Sequence, residues 1–283
     1  MVFLKKIFIL LLICFSAFIF WCSSSHNAPL KNAMEIHYIN VGQGDSILIR
    51  VNDKNMLIDS GPKDNKKDLI SYLNSLNISN IDYLIATHPH EDHIGNMNTI
   101  INKYTVNKFY SPKVSATSKS FELMIEALKN KKMKINILNT NTTSLNLGEN
   151  TKVTILSPLE GESFDNLNNY SPMIKIEYGE TSFLFTGDCE KDVEANVLSR
   201  NKNLLKADIL KLGHHGSSTS SSKEFLCSVN PSAVVISSGK DNRFGHPHSE
   251  TINLLKKYNI NFYNTATDNT IILISDGKTI LKK

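Results

Sequence analysis

The sequence is poor in cysteine, with four residues of this type in 283. Cys14 and Cys22 lie near the N-terminus, so only Cys189 and Cys227 remain for the rest of the chain. A disulfide-rich framework is therefore excluded. The sequence alone does not place the last two within bonding distance, and their pairing stays open. We expect Cys189 to be a small buried side chain, with a thiolate metal ligand as the alternative.

The sequence also lacks a large excess of positive or negative charge, and it has no low-complexity tract. The chain has 31 Lys and Arg residues against 27 Asp and Glu residues. Lys5 and Lys6 belong to an N-terminal leader, and without them 29 basic side chains face 27 acidic ones. Charge alone therefore gives no argument for a polyanionic partner.

The N-terminal segment has the pattern of an export signal. Lys5 and Lys6 precede an uncharged apolar run over residues 7–21, and small polar residues follow. The run of about fifteen residues is short for a membrane span of about twenty. Residues 1–25 are therefore predicted to be a signal peptide or an N-terminal membrane anchor. Cys22 raises lipidation as a third outcome, although Trp21 directly before it argues against that.

The strongest signal is a cluster of metal-binding residue types in residues 87–95, THPHEDHIG. It follows the short apolar run of residues 81–86, which predicts a buried strand. The cluster is therefore expected to be a loop leaving a strand end, with a helix over residues 94–104 behind it. Imidazole and carboxylate together are the ligands of zinc, manganese or iron.

The spacing of these ligands suits two ions. His88 and His90, two residues apart in an extended chain, can point toward one ion. Asp92 and His93 follow the turn and can reach a second ion. Two metals roughly 3.5–4 Å apart form a site for hydrolysis, because they activate a water and hold the leaving oxygen.

Five further motifs accompany this cluster and carry a resemblance to a known family. They are residues 40–46 (NVGQGDS), 57–61 (LIDSG), 183–188 (FLFTGD), 213–217 (GHHGS) and 245–248 (GHPH). Together with the His-x-His-x-Asp-His cluster, they resemble the metallohydrolase domain of the ComEC family of competence proteins, within the metallo-β-lactamase superfamily. The resemblance runs from residue 34 to residue 283. It implies an α/β fold, an αββα sandwich of two mixed β-sheets with flanking helices.

The resemblance also implies roles for later residues. Asp188 is expected to bridge both metals, and His215 to be the last metal ligand. Spacing alone does not decide between His214 and His215, because neighbouring side chains point opposite ways in an extended chain. The choice of His215 rests on the His-x-Ser sequence that begins there, which resembles the last metal-ligand loop of related phosphodiesterases. His214 is then expected to contact the substrate or to support a ligand, as a catalytic group. Asp59, at the end of a predicted strand, either hydrogen-bonds a metal-binding imidazole or caps a turn.

One ligand is missing from the pattern. No histidine lies between His93 and His214, although many relatives place a third imidazole for the first metal in this interval. The number of bound ions, one or two, therefore stays open. His246 either completes the metal site or donates a proton to the leaving group, and Arg243 could hold phosphate oxygens.

We therefore expect an exported metal-dependent hydrolase, located outside the cell or on the outer face of the cytoplasmic membrane. Its expected cofactors are two divalent ions, zinc first and manganese or iron as alternatives. The expected metal ligands are His88, His90, Asp92, His93, Asp188 and His215, and the expected catalytic groups are His214, His246 and Asp92. The substrate is expected to be a phosphodiester, with nucleic acid included and no protein partner inferred. A hydrolase of lactones, β-lactams or thioesters and a non-catalytic metal-binding homologue are the alternatives.

Overall fold

The computed structural model describes residues 32–283. The predicted signal or anchor over residues 1–25 lies outside the described residues. Within residues 32–283, no helix is both long and apolar enough to cross a membrane. Fourteen strands are described: β1 (Met34–Tyr38), β2 (Ile47–Val51), β3 (Lys54–Ile58), β4 (Asn80–Ile85), β5 (Thr105–Ser111), β6 (Ile135–Ile137), β7 (Thr151–Ser157), β8 (Met173–Tyr178), β9 (Thr181–Phe185), β10 (Ile209–Lys211), β11 (Ala233–Ile236), β12 (Asn261–Asn264), β13 (Ile271–Ser275) and β14 (Ile280–Lys282).

These strands form two mixed sheets. The first has the order β14-β13-β1-β2-β3-β4-β5-β6, and the second has the order β12-β11-β10-β9-β8-β7. Strands β3 to β6 run parallel to one another, and so do β9 to β12. The carboxyl ends of parallel strands meet at one edge of a sheet, which is where ligand sites form in such folds.

Helices cover the outer face of each sheet. They are α1 (Lys66–Ser75), α2 (Glu91–Ile94), α3 (Met97–Lys103), α4 (Lys119–Asn130), α5 (Lys191–Asn201), α6 (Lys223–Val229), α7 (Ser249–Lys257) and α8 (Thr265–Asp268). In α4, Ser118 caps the first turn by accepting from the Phe121 N–H, and Met124, Ala127 and Leu128 face inward. Apolar residues at this helical spacing require a sheet face to bury them.

Three apolar clusters hold the four layers together. The central one packs side chains of both sheets against each other, among them Tyr38 from β1 and Phe183 from β9. A second lies under α1, α3 and α4, and a third under α5, α6 and α7. Each fully buried large apolar side chain contributes about 1.5–3 kcal/mol of transfer free energy. The αββα sandwich expected from the motifs is confirmed.

One local prediction needs correction. The helix expected over residues 94–104 is two helices, and the first of them, α2, already begins at Glu91 inside the ligand motif. His90 is extended and ends the loop, so Asp92 and His93 lie on a helical turn.

The two cysteines among residues 32–283 are both free, with Cys189 buried in the third apolar cluster and Cys227 exposed. Burial raises the pKa of the Cys189 thiol, which favours the apolar interpretation over a thiolate ligand.

Candidate metal centre

The sheet edge at the carboxyl ends of β4, β9 and β10 brings the predicted ligands together. His88, His90 and Asp92 follow β4, Asp188 follows β9, and His215 follows β10. Gly44 lets the loop after β1 join them, because a Cβ there would collide with the Asp92 carbonyl oxygen. The Asp45 N–H donates to that same carbonyl at 3.2 Å.

One set of donors faces the carboxylate of Asp188 from the α2 turn and from β10. Asp188 Oδ2 lies 3.2 Å from His93 Nε2 and 3.2 Å from His215 Nε2. Asp92 Oδ2 lies 3.3 Å from His215 Nε2. Nitrogen and carboxylate oxygen atoms that converge in this way match the donor set of a zinc, manganese or iron site.

A second set of donors comes from the loop before α2, and its His88 approaches the same carboxylate oxygen, Asp188 Oδ2. His88 Nε2 and His90 Nδ1 are 3.0 Å apart, and His88 Nε2 is 3.9 Å from Asp188 Oδ2. Asp188 therefore faces both sets of donors, and its role as a bridge between two ions stays a prediction. Its Oδ1 atom is buried with no hydrogen-bond partner among residues 32–283. A buried carboxylate oxygen without a partner fits a position that an ion occupies.

His214 also faces Asp188, which the expectation from an extended chain did not anticipate. His214 Nε2 lies 3.8 Å from Asp188 Oδ2. The segment is not extended, since His214 has φ 49° and His215 has φ 53°. Two successive left-handed residues turn both imidazoles toward the same carboxylate. His214 can therefore supply the third imidazole that residues 94–213 lack.

The far ring nitrogen of each of these histidines is occupied by an acceptor. His93 Nδ1 lies 2.7 Å from Asp59 Oδ2, and His215 Nδ1 lies 2.9 Å from the Ser237 carbonyl oxygen. His214 Nδ1 lies 3.2 Å from Thr219 Oγ1, which accepts because its own hydrogen is donated to Glu190 Oε1 at 3.1 Å. Each Nδ1 therefore carries the proton, and each Nε2 keeps a free lone pair for a metal.

His88 follows the same rule through two hydroxyl groups. Its Nδ1 lies 3.1 Å from Ser171 Oγ and 3.2 Å from Thr87 Oγ1. The Thr87 hydroxyl hydrogen is already donated to Asp59 Oδ2 at 2.6 Å, so Thr87 Oγ1 accepts from His88. Of the two roles considered for Asp59, the structure shows the hydrogen bond to an imidazole.

The electrostatics of the centre favour positive charge. Burial alone would lower the pKa of His93 and His215, but the surrounding carboxylates outweigh it and raise both pKa values well above the ordinary value. The same contacts outweigh the burial of Asp188 and hold its pKa well below the usual range. His88, which is buried and lies beside His93, has its pKa lowered well below the ordinary value. The carboxylates thus attract cations to this point.

A buried ion pair beneath the centre was missed from the sequence. Lys211 is fully buried, and its Nζ lies 2.5 Å from Asp45 Oδ2 and 4.0 Å from Asp188 Oδ1. Asp45, His93, Asp188 and His215 offer ligand atoms within 4.8 Å of one another. Asp45 is paired with Lys211, and its Oδ1 lies 3.6 Å from His215 Nδ1, the nitrogen on the far side from Asp188. We therefore do not count Asp45 among the proposed metal ligands. The sequence signal that could have revealed this ion pair is Lys211 itself, a charged residue within the apolar run directly before the loop of His214 and His215.

The loop over residues 239–248 forms one wall of the centre without joining the donor cluster. The His246 ring lies 6.1 Å from the His215 ring and 5.3 Å from the His214 ring, measured between centroids. Burial, with the neighbouring imidazoles of His215 and His214, lowers the pKa of His246 to about 4. Glu91, the remaining carboxylate of the first motif, accepts from the Lys63 N–H and also lies outside the cluster.

An open cleft of about 870 Å³ leads to the centre. Asp92, Asp188 and His214 are among the side chains that line it near the donor cluster. Lys63, Arg243 and Phe244 also line it, and these three are exposed. The Arg243 guanidinium lies 4.8 Å from the centre of the Phe244 ring. The cleft therefore offers cationic and aromatic contacts beside the donor cluster.

Comparison with known proteins agrees with this architecture. The chain is 31% identical over 277 residues to ComE operon protein 3 of Bacillus subtilis, which covers 92% of this chain and 34% of that protein. It is 28% identical over 273 residues to Recombination protein 2 of Haemophilus influenzae, covering 95% of this chain and 31% of that protein. The chain thus spans about a third of the length of these relatives.

Structural comparison gives the same fold. The metallo-β-lactamase fold protein YhfI from Bacillus subtilis has a TM-score of 0.52 at 12% identity, covering 88% of this chain and 100% of that one. The family profile described as Metallo-beta-lactamase superfamily matches residues 39–240. The resemblance drawn from the motifs is confirmed, and the chain belongs to the metallo-β-lactamase superfamily, whose members are generally hydrolases.

Proposed function

We propose that this protein is a metal-dependent phosphodiesterase whose substrates include nucleic acid. The observation that carries the proposal is the cleft, which Lys63 and Arg243 line together with Asp188. Guanidinium and ammonium groups are the side chains that hold phosphate oxygens. A lactone or a β-lactam does not need two such cations at the entrance. The name of one relative, Recombination protein 2, agrees with a nucleic-acid substrate.

We propose two divalent ions per chain. His88, His90 and His214 would hold one, and Asp92, His93 and His215 the other, with Asp188 shared between them. Ions bound there supply Lewis acidity and a water whose pKa falls toward ~7. The chain's own residues supply the rest, since Asp59 and Ser237 fix two of the ligand imidazoles and Lys211 holds Asp45 beneath them.

Four side chains in and beside the cleft would act on the substrate. Arg243 and Lys63 would bind its phosphate oxygens, and Phe244, 48% exposed, presents an aromatic face to a base. His246 would contact the reacting phosphate or the leaving oxygen. The pKa of His246, lowered to about 4, makes it a neutral imidazole at neutral pH.

The test is metal analysis of the purified chain, followed by a substrate panel. We expect about two ions per chain and hydrolysis of bis-nitrophenyl phosphate and of DNA or RNA oligonucleotides. Hydrolysis of a lactone, β-lactam or thioester without phosphodiester turnover would reject the substrate class. One firmly bound ion under all conditions would show that the first donor set is incomplete. Full metal loading without turnover on any substrate would favour a non-catalytic binding protein.

We also propose that the protein is exported and acts outside the cell or at the outer membrane surface. The support is Lys5 and Lys6 followed by the apolar residues 7–21. Cell fractionation should find the protein outside the cytoplasm, and mass spectrometry should show whether it is processed near residues 22–26. Labelling with a fatty acid, compared with Cys22→Ser, decides lipidation. A cytoplasmic protein that retains Met1 would reject the proposal.

A further inference from the structure

Gln43, the single glutamine of the sequence, lies in the loop between β1 and β2 and contacts the opposite wall of the cleft. Its side-chain oxygen, Oε1, accepts a hydrogen bond from the Gly239 backbone N–H at 3.0 Å. A backbone N–H can only donate, so this contact decides which end of the amide is oxygen. The amino group, Nε2, is therefore the end that faces His246.

Gln43 Nε2 lies 3.3 Å from His246 Nδ1. An amide NH₂ group only donates, so His246 Nδ1 must accept. A neutral imidazole carries one proton, and that proton is then on Nε2. A protonated ring would place an N–H against the amide N–H, so the same contact disfavours the charged form.

This arrangement is the opposite of that in the histidines that face Asp188. His93 and His215 donate from Nδ1 to Asp59 and to the Ser237 carbonyl, which leaves their Nε2 lone pairs free. For His246 to bind an ion through Nε2, the Gln43 amide would have to turn over. The Gly239 N–H would then face an NH₂ group and lose its acceptor, which is unfavourable.

Further contacts hold both the backbone and the ring of His246. Asn242 accepts from the His246 N–H at 3.0 Å and donates to its carbonyl oxygen at 2.6 Å. The Phe244 ring stacks on the imidazole at 19° between planes. His246 Nε2 has no hydrogen-bond partner within residues 32–283, and the ring lies against His214, which lines the cleft. The Nε2–H of His246 is thus a fixed hydrogen-bond donor that is available to a substrate.

We propose that Gln43 is a positioning residue that fixes His246 as a neutral, Nε2-protonated hydrogen-bond donor to the substrate phosphate, and excludes it from the metal ligands. The proposal rests on the phosphodiesterase function for the identity of the acceptor. A neutral imidazole held in this way stabilises charge that develops on a phosphoryl oxygen without transferring its proton. Gln43 acts through His246 and need not touch the substrate itself.

The test is the tautomer of His246 in the zinc-loaded full chain, measured by long-range proton–nitrogen NMR with ¹⁵N-labelled histidine. The His246 signals are assigned by their loss in His246→Asn. We expect a protonated Nε2 and a bare Nδ1 in the unsubstituted protein. His248 serves as an internal reference, because the Ser218 N–H donates to its Nδ1 at 3.0 Å and fixes the same tautomer without Gln43.

Gln43→Glu should reverse the pattern for His246 and leave His248 unchanged. A glutamate can accept from both the Gly239 N–H and a protonated His246 Nδ1, so Nε2 loses its proton. Turnover of a phosphodiester should then fall about 10²–10³-fold, the usual loss for one donor aimed at developing charge. Gln43→Met removes the amide at similar length, and we expect a mixture of both tautomers.

A protonated Nδ1 on His246 in the unsubstituted protein would overturn the proposal, and that measurement needs no variant to fold. An unchanged tautomer in Gln43→Glu, with native zinc content, would also overturn it. The NMR result is independent of the substrate. If the tautomer is as expected and no phosphodiester is turned over, the function fails and the positioning role stands. If turnover is present and the tautomer is wrong, the positioning role fails alone.

Discussion

The histidines around Asp188 and those of the 239–248 loop are the same side chain used in opposite ways. His93 and His215 each give the Nδ1 proton to an oxygen, so Nε2 is a bare lone pair. His246 and His248 each receive an N–H at Nδ1, so Nε2 carries the proton. The partner of Nδ1 therefore separates the proposed metal ligands, His93 and His215, from the two histidines whose Nε2 carries the proton.

The largest expected effect comes from the carboxylate shared by both donor sets. Asp188→Asn keeps the shape but removes the negative charge that faces His93 and His215. We expect the variant to lose its metal and its turnover together, measured by elemental analysis and by phosphodiester hydrolysis. Glu91→Gln is the matched control for metal content, because Glu91 accepts from the Lys63 N–H and lies outside the cluster. Retention of both ions in Asp188→Asn would remove Asp188 from the shared position.

The next largest effect is expected at the buried ion pair of Lys211 and Asp45, beneath the proposed metal ligands. Lys211→Met leaves Asp45 buried and uncompensated beside His215. Loss of one partner of a buried pair costs about 3–5 kcal/mol, and the free energy of unfolding from urea denaturation should fall by that amount. Lys206→Met, at an exposed lysine, should change it by less than about 0.5 kcal/mol. The double variant Lys211→Met/Asp45→Asn should regain part of the loss, and an equal or larger loss would contradict the pairing.

The pH dependence of the pair has a definite sign. Lys211 and the imidazoles of His215 and His93 outweigh the burial of Asp45 and lower its pKa to about 2. The stabilisation from Asp45 is present above its ordinary pKa of 3.8 and is lost as pH falls toward 2. Asp45 outweighs the burial of Lys211 and raises its pKa, so that contribution is present below 10.5 and lost only at higher pH. The difference in stability between the native chain and Lys211→Met should therefore shrink as pH falls below 3.8 and again as pH rises above 10.5.

The sequence was sufficient for the parts of this picture that depend on neighbouring residues. The motifs predicted the αββα sandwich, and His88 and His93 of the cluster at residues 87–95 lie together beside Asp188, as their spacing predicted. The sequence did not predict that His214 and His215 both face Asp188, because two successive left-handed residues break the alternation on which that expectation rested. Gln43 and His246 are 203 positions apart, so their contact follows only from the packing of the two sheets.

The smallest expected effect comes from a variant that gives His93 the hydrogen-bonding arrangement of His246. Asp59 Oδ2 accepts from His93 Nδ1, and its Oδ1 accepts from the Thr87 N–H at 2.8 Å. In Asp59→Asn, the amide oxygen must stay on the Thr87 N–H, so the NH₂ group faces His93. His93 Nδ1 then becomes an acceptor, as in His246, and the proton moves to Nε2.

Loss of an outer partner of this kind commonly lowers metal affinity about 10–100-fold, measured by competition with a chelator. Asp59→Ala removes the acceptor without placing a donor there, and it serves as the matched comparison. We expect the Asn variant to bind the ion near His93 more weakly than the Ala variant, because only Asn opposes the ligand tautomer. Equal losses would show that the charge of Asp59, rather than the direction of its hydrogen bond, determines the role of His93.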